Sequence, residues 1–181
     1  RDQRRLVLRR IDAADGRAQD LLEERSDSWV ALHDELTFLP RRRAFLWASN
    51  RSGYRHLYLY DYDGRLRRPV TAGEWMVTGD GGERAIEAVD EQRGLVYFTA
   101  NRETPLERHL YSAPLDGPSG AAAIEAGLRR LTTRAGWHSV AMSPDAGFIG
   151  TPSRDATVGV CGSCYSDADR MRKYGLPTDQ L

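Results

Sequence analysis

The decapeptide RHLYLYDYDG (55–64) returns as RHLYSAPLDG (108–117), and its neighbours return with it. FLWASNR (45–51) precedes the first copy and LVYFTANR (95–102) the second; LRRPVT (66–71) and LRRLT (128–132) follow, and Trp75 and Trp137 close the two units. A fainter copy runs through RRLVLRRIDAADG (4–16), DLL (20–22) and Trp29, and SVAMSPDAGFIGT (139–151) opens another. The shared positions Trp29, Arg55, His56, Tyr58, Trp75, Arg108, His109, Tyr111 and Trp137 read as structural anchors of a repeat. A supersecondary unit repeated along a chain restricts the fold to architectures in which neighbouring units cover each other.

Within one unit the segments are short, rich in aromatic and β-branched residues, and bounded by turn residues. DELTFL (34–39), AFLWAS (44–49), RHLYLYD (55–61) and LRRPVT (66–71) read as four antiparallel strands. Asn50 to Gly53 and Asp63-Gly64 make turns between them, and Pro69 places the last strand at an edge. In RHLYLYD, Leu57 and Leu59 share one face and Tyr58 and Tyr60 the other, the pattern of a sheet buried on both sides. A four-stranded meander with two apolar faces must stack on further copies, which is the β-propeller solution. A β-sandwich also spaces its strands this closely, but the shared anchors favour the propeller.

The expected fold is therefore all-β, a partial β-propeller of two whole blades plus parts of two others. The blades are expected at about 4–29, 34–75, 85–137 and 139–155 within a unit spanning 1–155. Rings close with about four to eight blades, so this stretch reads as an arc of a larger ring. GPSGAAAIEAG (117–127) is expected to lengthen one turn. Residues 156–181 lack both alternation and blade anchors and are expected to form an irregular tail, read as sequence foreign to the fold, such as a shifted reading frame, ahead of a docking tail.

Chemistry is sparse. Basic and acidic residues balance at 26 each, which argues against a nucleic-acid partner, and no apolar run approaches the roughly 18–20 residues of a membrane span. No G-x-S-x-G elbow is present to hold a hydrolase serine. His56 and His109 recur at equivalent places, so they read as architecture. Cys161 and Cys164 have C-x-x-C spacing, but a structural zinc site takes four ligands and no second pair exists; no metal or cofactor is expected. An oxidoreductase working through those thiols is the remotest reading. Glu23 and Glu24 would face opposite sides of a strand and read as solvated edge charges. Asn50-Arg51-Ser52 is a formal glycosylation acceptor in a tight turn, and GDGG (79–82) is a flexible turn without a P-loop lysine. His33 and Asp34, just before the first whole blade, are the candidate substrate-binding residues.

FLWASNRSGYRHLYLYD with TAGEW, LVYFTANRETPLERHLY with PLDG, and GWHSVAMSPD together resemble the propeller of bacterial dipeptidyl peptidase IV-type enzymes, in the prolyl oligopeptidase family of serine peptidases. The resemblance covers about residues 1 to 155. It implies an eight-bladed propeller joined to an α/β-hydrolase domain whose Ser, Asp and His release dipeptides from peptide N-termini. It further implies that the propeller scaffolds and gates peptide access, that the chain alone is inactive, and that the parent is exported or periplasmic. No residue here matches the catalytic triad, and Glu23-Glu24 does not match the family's amine-gripping glutamates. Where some members carry an arginine-bearing loop after Trp-Val, Trp29-Val30 continues as Ala31-Leu32-His33-Asp34. The alternative is a non-enzymatic propeller scaffold that binds a protein partner. Open blade faces at the ends of the arc would favour self-association.

Overall fold

A computed structural model describes residues 3–79, 84–143, 149–152 and 158–160. Its regular structure is almost wholly antiparallel strand. Strands β1 (Arg5–Ile11) and β2 (Ala18–Arg25) form a hairpin. The next sheet is a meander of β3 (Leu36–Leu39), β4 (Ala44–Ser49), β5 (His56–Asp61) and β6 (Leu66–Pro69), hydrogen-bonded in that order. A second meander repeats it with β7 (Ile86–Asp90), β8 (Leu95–Ala100), β9 (His109–Pro114) and the short β10 (Arg129–Arg130). Strands β11 (Ala141–Met142), β12 (Ile149–Pro152) and β13 (Val158–Val160) begin a fourth sheet.

The alternation read from the sequence is what joins the sheets. In β5, Leu57 and Leu59 enter a core with Val96, Phe98, Tyr111 and Ala113 of the following sheet. Tyr58 and Tyr60 enter a separate core with Phe45 and Trp47, against Leu6, Leu8, Leu21 and Leu22 of the hairpin. Tyr97 and Leu110 face the other way, toward Leu131, Val140 and Met142. Successive blades thus share apolar layers, and Pro69 sits in the edge strand β6, where no ladder amide is needed.

These layers outweigh the charges along the hairpin. Arg5–Glu23 and Arg9–Asp20 are exposed pairs, and solvent screening leaves exposed pairs little net contribution. Burying one Leu contributes about 1.5–3 kcal/mol, so the hairpin is held by its leucines against the tyrosine face.

Three expectations need correction. Residues 117–127 are more than a lengthened turn, for they contain helix α1 (Ala121–Gly127). Its Ala-rich run is a strong helix former, and Ile124 anchors it in the interior. The anchor tryptophans are not equivalent. Trp75 is 7% exposed, edge-on to His56 and stacked with Phe98 and Tyr111 of the next sheet, whereas Trp29 and Trp137 are 65% and 58% exposed. Trp75 is buried because its ring packs on His56 and on Phe98 and Tyr111 of the following sheet; among the described residues Trp29 has no ring contact of that kind. Finally, β13 lies within the segment set apart as an irregular tail; Val158 pairs with Pro152, so regular pairing runs past residue 155.

Candidate functional site

Antiparallel pairing brings the loops to two opposite ends of the sheets. One end collects the crossovers between sheets, 26–35 and 70–79, together with the turn at 50–55. At this end the start of β3, the end of the 50–55 turn and the start of β7 enclose a cavity of about 670 Å3. Leu32, His33, Asp34, Arg55, Arg84, Ile86 and Glu87 line it. Both substrate-binding candidates from the sequence, His33 and Asp34, therefore stand in one wall.

The two differ in freedom. The His33 ring lies 4.5 Å from the Trp47 ring, and its Nδ1 accepts the Glu35 amide N–H at 3.2 Å. Burial, reinforced by the Arg55 charge, holds its imidazole below the ordinary histidine value, so it is a neutral wall group at physiological pH. Asp34 is exposed, and its carboxylate has no partner among the described residues.

Glu35, which the sequence reading passed over, is the fixed charge beside the cavity. Its side chain is fully buried. Oε2 accepts the Ala85 amide at 2.6 Å and Arg55 Nη2 at 3.2 Å, while Oε1 accepts the Ile86 amide at 3.0 Å. One carboxylate at the head of β3 thereby captures two amides at the head of β7. Arg84 is engaged as well, donating from Nη2 to Thr37 Oγ1 at 2.6 Å.

Glu24 is a second correction. Glu23 faces solvent with Arg5 and Arg25, as a strand edge predicts, but Glu24 turns inward. It accepts Trp47 Nε1 at 3.2 Å, Ser49 Oγ at 2.8 Å and Arg51 Nη2 at 2.6 Å. The opposite-face reading of this pair holds; the solvated reading holds only for Glu23.

The repeated histidines are structural. His56 Nδ1 meets Thr71 Oγ1 at 3.0 Å and Nε2 meets Gly73 O at 3.0 Å; His109 repeats the first contact with Thr132 at 3.0 Å and turns Nε2 to Glu107 at 2.8 Å. Arg55 and Arg108 diverge, Arg55 reaching Glu35 while Arg108 donates Nε and Nη2 to His138 O. Tyr58 reaches Ser52 and Tyr111 reaches Glu103, each toward the loop after its neighbouring strand. Among the described residues no group of three or more His, Cys, Asp or Glu is placed to hold a metal, and no helix is long and apolar enough to cross a membrane. Cys161, Cys164 and the 79–82 turn beyond Gly79 lie outside the described residues.

Four-stranded meanders stacked through alternating apolar faces, with a cavity where the crossovers meet, define a β-propeller segment. The profile of the Dipeptidyl peptidase IV (DPP IV) N-terminal region matches residues 1–157, and the chain belongs to that family. It is 32% identical over 214 aligned residues to Probable dipeptidyl-aminopeptidase B of Coccidioides posadasii (strain C735), covering 98% of this chain and 21% of the relative. It is 31% identical over 156 residues to Dipeptidyl peptidase 8 of Homo sapiens, covering 71% of this chain and 16% of that one. The crystal structure of Porphyromonas gingivalis dipeptidyl peptidase 4 superposes with a TM-score of 0.66 at 21% identity, over 82% of this chain and 19% of that chain. The chain spans about a fifth of the length of these relatives.

Proposed function

We propose that this chain scaffolds and gates peptide access in a dipeptidyl-peptidase-type serine exopeptidase, with bond cleavage carried out by an α/β-hydrolase domain outside these residues. The observation that carries this reading is the cavity at the crossover end, set in a chain of the DPP IV N-terminal family. Ion-paired and backbone-bonded groups, Glu35 and Arg55 above all, hold its walls, so it is a rigid surface past which a peptide can be guided. Peptide substrates and the hydrolase domain are the partners this reading requires. The rival reading, a free-standing interaction scaffold, is not favoured by relatives that are dipeptidyl peptidases.

The test is to assay the 181-residue chain and the full-length gene product side by side with Gly-Pro-p-nitroanilide. Hydrolysis is expected from the full-length product alone. Activity in the 181-residue chain would refute the division of labour, and inactivity of the full-length product toward any dipeptidyl substrate would refute the exopeptidase reading.

A further inference from the structure

The two meanders grip the same repeated arginine by different means. Arg51 and Arg102 each close the Asn-Arg that follows β4 and β8. In the first meander the holder is Glu24 of strand β2, which accepts Trp47 Nε1 at 3.2 Å and Arg51 Nη2 at 2.6 Å. In the second it is Glu125 of helix α1, which accepts Trp75 Nε1 at 2.7 Å and Arg102 Nε and Nη2 at 3.0 and 2.7 Å. Trp75 belongs to the crossover 70–79 between the meanders, so Glu125 ties α1 back across their joint. The segment leading into α1 does the same, because Arg68 of β6 donates to Pro114 O at 3.3 Å and Pro118 O at 2.9 Å.

The two holders differ in what supports them. Glu24 sits in a strand paired along its length with β1. Helix α1 has seven residues, and isolated helices shorter than about 12–15 residues are marginal in water. Its N-cap, Gly120, has no side chain to bond the first amides, and Glu125 stands in the last turn, where the helix dipole disfavours an anion. Ile124 is the buried residue of the helix, while residues 116–123, 126 and 127 are exposed. The first meander joins β5 to β6 through residues 62–65, so a meander closes without such a helix.

We propose that α1 is a detachable strap, which undocks as a unit from the joint between the two meanders while both sheets stay formed, with Glu125 as its latch on Trp75 and Arg102. Segments with few buried apolar contacts open at a cost below that of global unfolding. Undocking releases the Trp75 indole N–H and the Arg102 guanidinium together. It leaves the crossover held by its backbone hydrogen bonds and by the Trp75 ring on Phe98 and Tyr111. This device is independent of whether a peptide passes the cavity.

Hydrogen exchange followed by NMR on the 181-residue chain tests it, read at the Ile124 and Leu128 amides, at the Trp75 indole N–H and along the β4–β5 ladder. Protection at the strap and at the indole is expected to be about a hundredfold below that of the ladder. It should hardly change with denaturant below the unfolding transition, because undocking exposes little surface. Glu125→Ala puts a strong helix former in place of an unfavourably placed anion, so the helix by itself should gain. Loss of the latch should instead lower protection at Ile124 and Leu128 by about tenfold. Strap protection equal to that of the ladder would overturn the proposal, and so would a frayed α1 beside an indole protected like the ladder. Unchanged or higher protection in Glu125→Ala would remove the latch. A Glu125→Ala chain that lost its sheets would also overturn it, since the meanders are expected to stand with the strap undocked.

Discussion

The Thr71 hydroxyl, two residues past β6, ties the β5 backbone to an imidazole: it accepts the Leu57 amide at 2.9 Å and stands 3.0 Å from His56 Nδ1. Gly73 O can only accept, so His56 Nε2 carries the proton and Nδ1 is the acceptor for the Thr71 O–H. Thr132 repeats the arrangement with the Leu110 amide at 3.0 Å and His109 Nδ1 at 3.0 Å. The repeated Arg-His-Leu-Tyr is thus one half of a lock whose other half is a threonine two residues past the end of the next strand.

Thr71→Val keeps the shape and removes the hydroxyl, stranding the buried Leu57 amide and the His56 acceptor. An unsatisfied buried group costs about 1–3 kcal/mol, and for a chain of this size 1 kcal/mol shifts the melting temperature by about 2–4 °C. A fall of about 5 °C is expected in calorimetry, with Thr71→Ser largely restoring it. A Val variant that melts like the parent would show that the lock contributes nothing.

Acid should loosen the fold. Burial, above all, holds His56 and His33 below the ordinary histidine value. Their unfolded forms therefore take up protons first, so stability is complete above about pH 6.5 and declines as pH falls toward the folded values. Glu107 is held below its ordinary value, chiefly by its hydrogen bond to His109, so its contribution also disappears as acid protonates it. Melting temperature should be flat from about pH 7 to 8.5 and drop between about pH 7 and 5. A rise on acidification would contradict these assignments.

Glu35→Ala should be among the most damaging single changes. It leaves Arg55, whose side chain is 14% exposed, without its anion and frees two amides at the head of β7. Breaking such a buried pair from one side costs about 3–5 kcal/mol. Hydrogen exchange should report it locally, as faster exchange at Ala85 and Ile86 before the rest of the second meander. Unchanged protection there would rule out the tie between the blades.

Two glycines separate backbone strain from crowding. Gly53 and Gly64 both have positive φ, +93° and +84°. A methyl group on Gly53 meets nothing within 4 Å, whereas on Gly64 it would stand 2.0 Å from the Leu21 carbonyl oxygen. Gly53→Ala should cost about 1–2 kcal/mol, the left-handed penalty alone. Gly64→Ala should cost clearly more, because the hairpin must also shift off the first meander. Equal denaturant midpoints for the two variants would refute the contact.

The meanders were legible because strand alternation is local: Leu57-Tyr58-Leu59-Tyr60 carries its two-sided burial in four consecutive residues. The anchors were legible as repeats but not as environments. Trp29, Trp75 and Trp137 look alike in sequence, yet burial depends on whether another sheet covers the ring. Glu24 and Glu35 were missed for the same reason, since their partners Arg51, Arg55 and Ala85 lie 20 to 50 residues away and converge only after stacking. Helix α1 had a local signal in Ala121-Ala122-Ala123, masked by the Gly and Pro around it. His33 and Asp34 were singled out by their place just before the first whole blade, and that place puts them in the cavity wall.

The outer margins of the two meanders are built from very little strand. β6 has four residues and ends in Pro69, and β10 has only Arg129 and Arg130, with α1 leading into it. A short, arginine-bearing or proline-ended rim is a poor template for an incoming chain. Strand addition is therefore disfavoured along these two margins, where a longer strand would offer an incoming chain a template.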